Sequence, residues 1–181
     1  MLELKLERCA CDCYGFEDYR IVPFGGIPYV TILGTIIVDD EEIGSVTMYE
    51  LSSDINLMDM AYQIPGDTLV IAEHICDSNG NVKSVYVGND KFVILDKIYI
   101  EPEYRNKGYG TLIAKHLLMT LNDAYDHNID SIILYASMYE IEDCEEMDLP
   151  TFNNQSEKLI RFYEKAGYVN SGNGIMIKKK G

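Results

Sequence analysis

Residues 92–125 read FVILDKIYIEPEYRNKGYGTLIAKHLLMTLNDAY, and the fold follows from how this stretch divides. The run from Phe92 to Ile100 is rich in β-branched and aromatic side chains and predicts a strand. From Tyr109 onward, Tyr109, Leu112, Ile113, Leu117, Leu121 and Ala124 form a stripe at three- and four-residue steps, which predicts a long helix. Between them lies EPEYRNKGYGT, residues 101–111, a turn with two glycines beside the helix start. A strand, a turn and a helix in this order argue for an α/β layer structure.

Toward the N-terminus, Leu2, Leu4 and Leu6 alternate with Glu3, Lys5 and Glu7, the pattern of a short half-buried strand. Residues 15–28, with PFGGIP, read as loop with room for a short strand. YVTILGTIIVDDEEIGSVTMYEL, residues 29–51, reads as a β-hairpin whose acidic tip, Asp39 to Glu42, is a solvated turn. Residues 54–76 place Leu57, Met58 and Ala61, then Leu69, Ile71 and Ala72, near helical spacing around Pro65 and Gly66. They predict two short helices inserted before the Phe92 strand. SNGN at 78–81 is a turn leading to a weaker strand over Val82 to Val87.

Toward the C-terminus, SIILYAS (131–137) predicts a buried strand, and residues 140–150 an acidic loop. NNQSEKLIRFYEKAGYV (153–169) predicts a second helix, with Asn154 and Glu157 at capping-box spacing and Gly167 at the αL stop. GIMIKKK closes as a strand with Lys178 to Lys180 as a solvated end. No repeat or linker divides the 181 residues, so a single domain is expected.

Composition narrows the class. With 47% hydrophobic and 25% charged residues the chain is of ordinary globular type, and its apolar runs fall short of the ~18 residues of a membrane span. MLELKLERCACDCYG lacks the apolar core of a secretory signal, so a cytoplasmic location is the default expectation. Fifteen Lys and Arg against 30 Asp and Glu give a net charge of -15, which disfavours nucleic acid or membrane as partner and favours cationic ones. Of the five cysteines, Cys9, Cys11 and Cys13 would project from one strand face, either as metal ligands or as reduced thiols. No CxxC completes a metal shell, His74, His116 and His127 are scattered, and Cys76 and Cys144 stand apart, so no metal is expected.

A helix N-terminus offers unpaired N–H groups and about half a positive charge to an anion. Gly108 and Gly110 allow close backbone approach, and Arg105 and Lys107 add cationic charge, although the spacing fits neither G-x-G-x-x-G nor a P-loop. From the residues alone, the stretch is either a phosphate seat or an ordinary strand–helix turn.

DKIYIEPEYRNKGYGTLIAKHLL resembles the acyl-CoA-binding signature of the GCN5-related N-acetyltransferases (GNAT), Arg/Gln-x-x-Gly-x-Gly/Ala, with Arg105, Gly108 and Gly110 at the specified positions. SEKLIRFYEKAGYV is similar to the later helix of that family, with its Tyr-Glu-Lys-x-Gly-aromatic ending. The resemblance runs from about residue 92 to 179 and is topological for the hairpin before it. It implies a mixed, twisted sheet flanked by helices in a single domain, acetyl-CoA as acyl donor, and no metal.

Residue by residue, the resemblance implies that Arg105, Asn106, Lys107, Gly108, Tyr109, Gly110 and Thr111 hold the CoA pyrophosphate. It implies that the backbone of Ile98, Tyr99 and Ile100 pairs with the pantetheine arm. Tyr163 takes the position of the general acid, or is a core tyrosine. Asp96, two residues before Ile98 and by alternation on its face, is either the base or an edge charge beside Lys97; Glu140 is the alternative base. Ser156 stands where similar proteins carry Asn and has a shorter reach to the cofactor. The acceptor implied is an amine, either a cationic small molecule or a lysine or N-terminal amine of a peptide. Glu140, Glu142, Asp143, Glu145, Glu146 and Asp148 either receive it or form a solvated loop. A non-catalytic module holding CoA or a basic partner is the other reading, and a homodimer is compatible with both.

Overall fold

A computed structural model of the chain describes residues 1–9, 29–88, 90–125, 128–137 and 149–181. Seven strands form one sheet: β1 (Leu2–Cys9), β2 (Tyr29–Val38), β3 (Glu41–Ser52), β4 (Lys91–Ile100), β5 (Ile129–Tyr135), β6 (Val169–Asn170) and β7 (Ile175–Lys179). The helices are α1 (Leu57–Met60), α2 (Thr68–Ile75), α3 (Tyr109–Tyr125) and α4 (Leu149–Lys165), with a 3-10 turn at Pro102–Tyr104. The spatial order is β1-β2-β3-β4-β5-β7-β6, and among the described residues β4 with β5 is the parallel pair. This is the mixed α/β sheet expected.

The β2–β3 hairpin turns on Asp39 and Asp40, both at positive φ (50° and 69°). Two such residues make the turn whose twist matches that of the flanking strands, and aspartate tolerates that conformation better than most side chains. Both carboxylates face solvent, and Asp39 also takes the ammonium of Met1.

The sheet is covered on both faces. Ile32, Ile36, Met48, Val93, Leu95 and Ile132 pack with Ile113, Leu117 and Leu121 of α3 and Tyr163 of α4. On the other face, Tyr49, Leu51, Phe92, Ile94 and Ile133 pack with Leu57 of α1 and Ile71, Ala72 and Ile75 of α2. Phe92 to Leu95 are therefore all buried, and burial on both faces is why β4 reads as a continuous apolar run instead of an alternating one. No helix among the described residues is long and apolar enough to cross a membrane.

Several expectations shift. Val82 to Val87 form no strand: Val82 makes an isolated bridge to Cys76, and a turn follows in which Tyr86 N–H donates to the Lys83 carbonyl. β4 is already flanked by β3 and β5 at this end, so the segment finds no central edge to join. On α3 the buried line is Ile113, Ala114, Leu117, Leu118 and Leu121, whereas Leu112 and Ala124 are exposed. Helix α4 begins at Leu149, which puts Asn154 inside it and not at its cap. Lys178 is no solvated end: its ammonium donates to the carbonyls of Ala166 (2.8 Å), Ala114 (3.3 Å) and Lys115, 5.2 Å from the Tyr168 ring centre. Burial, followed by the charge of Lys115, holds the Lys178 pKa below its ordinary value. Cys11, Cys13, Cys144 and the acidic loop with Glu140 lie outside the described residues.

One buried charge ties the N-terminal half together. Glu50 on β3, only 3% exposed, accepts from Lys91 Nζ at 2.7 Å and from the Arg8 guanidinium of β1. Arg8 also stacks 4.4 Å from the Tyr125 ring at the end of α3. Burial alone would raise the Glu50 pKa, but the hydrogen bonds and charges of Lys91 and Arg8 bring it below the ordinary value.

A carboxyl whose folded pKa is depressed contributes stability above its unfolded pKa of about 4.3 and loses it as pH falls through the folded value. Glu50→Gln is expected to lose about 2 kcal/mol in urea unfolding at pH 7. The deficit relative to the native chain should shrink below about pH 4. A pH-independent deficit would contradict the ion-pair account.

Candidate active site

The parallel pairing of β4 with β5 joins Lys91–Ile94 to the segment from Ile129 to Ile133 and then stops. Beyond it, the stretch from Leu95 to Ile100 keeps β3 on one side and, among the described residues, has no strand on the other. The divergence begins at a bulge. Thr47 pairs with Lys97 and Met48 with Leu95, which leaves Asp96 unopposed. An extra residue bends the strand and shifts its alternation by one. Val93 and Leu95 face the α3/α4 core before it, and Ile98 and Ile100 face that core after it.

Asp96 is therefore not on the face of Ile98, as simple alternation predicted. Its exposed carboxylate turns toward Gly66, where a Cβ would lie 1.9 Å from Oδ1. Gly66 also sits at φ 77°, so glycine is needed there both for backbone conformation and for space.

The bulge also sets which peptide groups face the opening. Glu101 N–H donates to the Ile43 carbonyl at 2.9 Å, so by antiparallel alternation Lys97, Tyr99 and Glu101 bond to β3. The N–H and C=O of Ile98 and Ile100 then point into the gap. Arg105 Nε takes the Ile100 carbonyl at 2.8 Å, closing the far end.

Beyond Ile100 the chain turns through Pro102–Tyr104 into the segment from Arg105 to Thr111. Asn106 (φ 62°) and Gly108 (φ 87°) are both left-handed, and they fold the loop back to start α3. Among the described residues the N–H groups from Asn106 to Thr111 have no hydrogen-bond acceptor, as expected at a helix start. Nothing lies within 4 Å of a Cβ built on Gly108, so the ground before these donors is open. A Cβ on Gly110 would instead lie 3.6 Å from the Phe162 ring of α4. The cationic side chains turn aside: Arg105 lies 5.6 Å from the Tyr99 ring, and Lys107 4.6 Å from that of Tyr104. The hydrogen bond to Glu41, with some desolvation, pushes the Tyr104 pKa up to about 12. Backbone groups are thus the foremost anion donors of this loop.

Where β4 and β5 part, a cleft of about 260 Å³ opens, walled by Leu95 to Ile98, Tyr135 to Ser137, Leu159, Tyr163, Gly66 and Asp67. Tyr163 and Asp96, separate expectations from sequence, thus meet in one cleft. Tyr163 is held by the end of α4. Gly167 (φ 88°) donates to the Glu164 carbonyl and Tyr168 N–H to that of Tyr163, both at 3.0 Å, the pattern of a Schellman cap. The cap stacks Tyr168 edge-on against Tyr163 at 5.3 Å. Tyr163 is 9% exposed, and its hydroxyl has no hydrogen-bond partner among the described residues. Burial pushes its pKa well above the ordinary phenol value.

Ser156 is half-buried on α4 and is not in the cleft wall. Two residues not singled out from sequence are. Ser137 Oγ, at the end of β5, donates to Asp67 Oδ2 at 2.8 Å. Their separation of 70 residues leaves no local signal of the pair; only the Pro-Gly break ahead of Asp67 marks the place. Among the described residues, no three His, Cys, Asp or Glu side chains gather as metal ligands.

A profile of the family described as "Acetyltransferase (GNAT) domain" matches residues 65–170, more than half of the chain. No curated protein matches the sequence. Solved structures with a similar chain path are remote. The Bacillus subtilis N-acetyltransferase YlbP in complex with coenzyme A is 13% identical over 82% of this chain and 67% of that one, with a TM-score of 0.38. Arabidopsis thaliana NAA60 in complex with acetyl-CoA is 14% identical over 83% and 76%, with a TM-score of 0.41. A mutant of the AtaT toxin, bound to the C-terminus of the antitoxin AtaR, is 11% identical at a TM-score of 0.41. That match covers 82% of this chain, which spans 66% of the toxin structure. None is close enough to transfer a site.

Gly66→Ala is expected to cost about 2 kcal/mol in thermal or urea unfolding, from the left-handed backbone and the displaced Asp96 carboxylate. In an Asp96→Ala background the cost should fall by roughly 1 kcal/mol, since the steric part disappears. Equal costs in both backgrounds would mean that the two groups do not touch.

Proposed function

Because the chain belongs to the GNAT family of acetyltransferases, we propose that it transfers the acetyl group of acetyl-CoA to the nitrogen of an amine. The observation that carries this reading is the gap beside β4, where the Ile98 and Ile100 peptide groups face an unfilled strand position. The pantetheine arm of CoA carries amide groups and can add to such an edge as another strand would. The pyrophosphate then falls to the N–H groups from Asn106 to Thr111, whose loop Arg105 braces through the Ile100 carbonyl.

The thioester end reaches the cleft. An alkylamine is protonated below its pKa of about 10.4, so a proton must leave before attack. Asp96, exposed at the bulge, takes it directly or through water. The amine nitrogen bonds to the thioester carbon, and an outward-facing β4 N–H stabilises the oxyanion. The C–S bond then breaks as the Tyr163 hydroxyl gives its proton to sulfur, and the extra proton on the bonded nitrogen leaves to give the amide and returns through water to the phenolate. A raised pKa suits Tyr163 to this role, because the phenol remains protonated throughout the neutral range. Ser156, half-buried on α4, serves as an auxiliary contact to the cofactor. The acceptor is a cationic small molecule or the amine of a peptide, chosen at the open end of the cleft.

Calorimetric titration with acetyl-CoA tests the donor site: the native chain binds, and Gly108→Glu, with a carboxylate before the anion donors, does not. Absence of native binding overturns the reading, and binding without turnover on any amine favours a non-catalytic module. Tyr163→Phe should lower kcat by about 100-fold with acetyl-CoA affinity retained. In the native enzyme, no alkaline loss of kcat ascribable to Tyr163 should occur below about pH 10.

A further inference from the structure

We propose that Asp67 determines acceptor specificity, and that the acceptor it selects carries a second positive charge a few carbons from the nitrogen that is acetylated. This rests on the transferase reading above and adds a residue and a substrate class to it.

Asp67 stands at the N-cap of α2, where an aspartate ordinarily accepts from the backbone N–H groups of its own helix. It makes no such bond; its carboxylate crosses to Ser137 Oγ on the opposite strand end. A lost cap destabilises a helix by about 1 kcal/mol, so α2 alone does not account for this orientation. What the orientation achieves is a carboxylate in the cleft wall, with Asp96 brought alongside by the missing side chain at Gly66. Lys97, the cation in that wall, has its ammonium 5.6 Å from the Tyr99 ring centre. Tyr163, nine-tenths buried in the same cleft wall, offers a hydroxyl without a partner among the described residues, which a polar group of a guest can pair with. The cleft is therefore shaped to receive a polar group.

The reacting nitrogen must become neutral, so an ion pair between it and Asp67 would vanish before the transition state and add nothing to the rate. A second ammonium keeps its charge from binding to product. A carboxylate facing it stabilises ground and transition states alike, which lowers KM and leaves kcat nearly untouched. Asp96 on β4, beside the donor strand, handles the proton, and Asp67 on the α2 wall handles the permanent charge.

The test compares kcat/KM for 1,5-diaminopentane and 1-aminopentane in the native enzyme, Asp67→Asn and Asp67→Glu. The native enzyme should prefer the diamine. That preference should fall about fivefold in Asp67→Asn, through KM, and return in Asp67→Glu. A preference unchanged in Asp67→Asn overturns this inference and leaves the transferase standing, whereas absence of acetyl-CoA binding and turnover overturns both. The native enzyme gives an answer independent of any variant's folding: between about 20 and 500 mM salt the diamine KM should rise more steeply than that of the monoamine. Parallel responses overturn the assignment.

Discussion

A strand inside a sheet can leave its neighbour only if something else satisfies the peptide groups it exposes, and β4 leaves β5 after Ile94. The extra residue at Asp96 is what permits this. It bends β4 away and shifts the alternation so that Ile98 and Ile100 still bury their side chains under α3 while their peptide groups face the opening. Without the bulge, either the core would lose two isoleucines or Asp96 would have to enter it. The cleft, the carboxylate in its wall and the open edge of β4 are thus three results of one inserted residue.

The parts that were legible from sequence are those whose signal is local and periodic. The apolar run at Phe92, the helical stripe from Tyr109, the glycine at 167 and the aspartate pair of the hairpin each declare their conformation within a few residues. Position along a periodic element was read less well. The α3 stripe was placed through Leu112 and Ala124, but the buried line passes through Ala114 and Leu118, because small and apolar residues on adjacent faces give nearly the same periodicity. Asp96 was given the face of Ile98, since a bulge breaks the two-residue rule and leaves no mark in composition. Val82 to Val87 has strand residues and no available edge, a condition that belongs to the sheet and not to the segment.

The least legible features join distant residues. The bond between Ser137 and Asp67, the ammonium of Lys178 on the α3 and α4 carbonyls, and the Arg8–Glu50–Lys91 cluster each connect segments without common pattern. Charge counting misleads here. A lysine in a terminal run of three reads as solvated, yet the middle of the molecule uses its donors to hold two helices together. Family resemblance pointed to the loop of Arg105, Gly108 and Gly110, and there the glycine at 108 takes a left-handed backbone conformation. It had less to say about the cleft, whose wall includes Asp67 from the start of α2 and Ser137 from the end of β5.

The two walls of the cleft differ in how they resist deformation. On the α4 side, moving Tyr163 means unmaking the backbone bonds that terminate the helix, including the one its own carbonyl accepts from Tyr168. On the α2 side, a hydroxyl–carboxylate bond joins Asp67 to Ser137, Thr68 Oγ1 donates to the Pro65 carbonyl at 3.0 Å, and Ile71, Ala72 and Ile75 anchor the helix in the core. The α4 wall thus rests on the backbone bonds that end a helix, and the α2 wall on side-chain bonds and core packing, so a single substitution reaches the second more readily than the first.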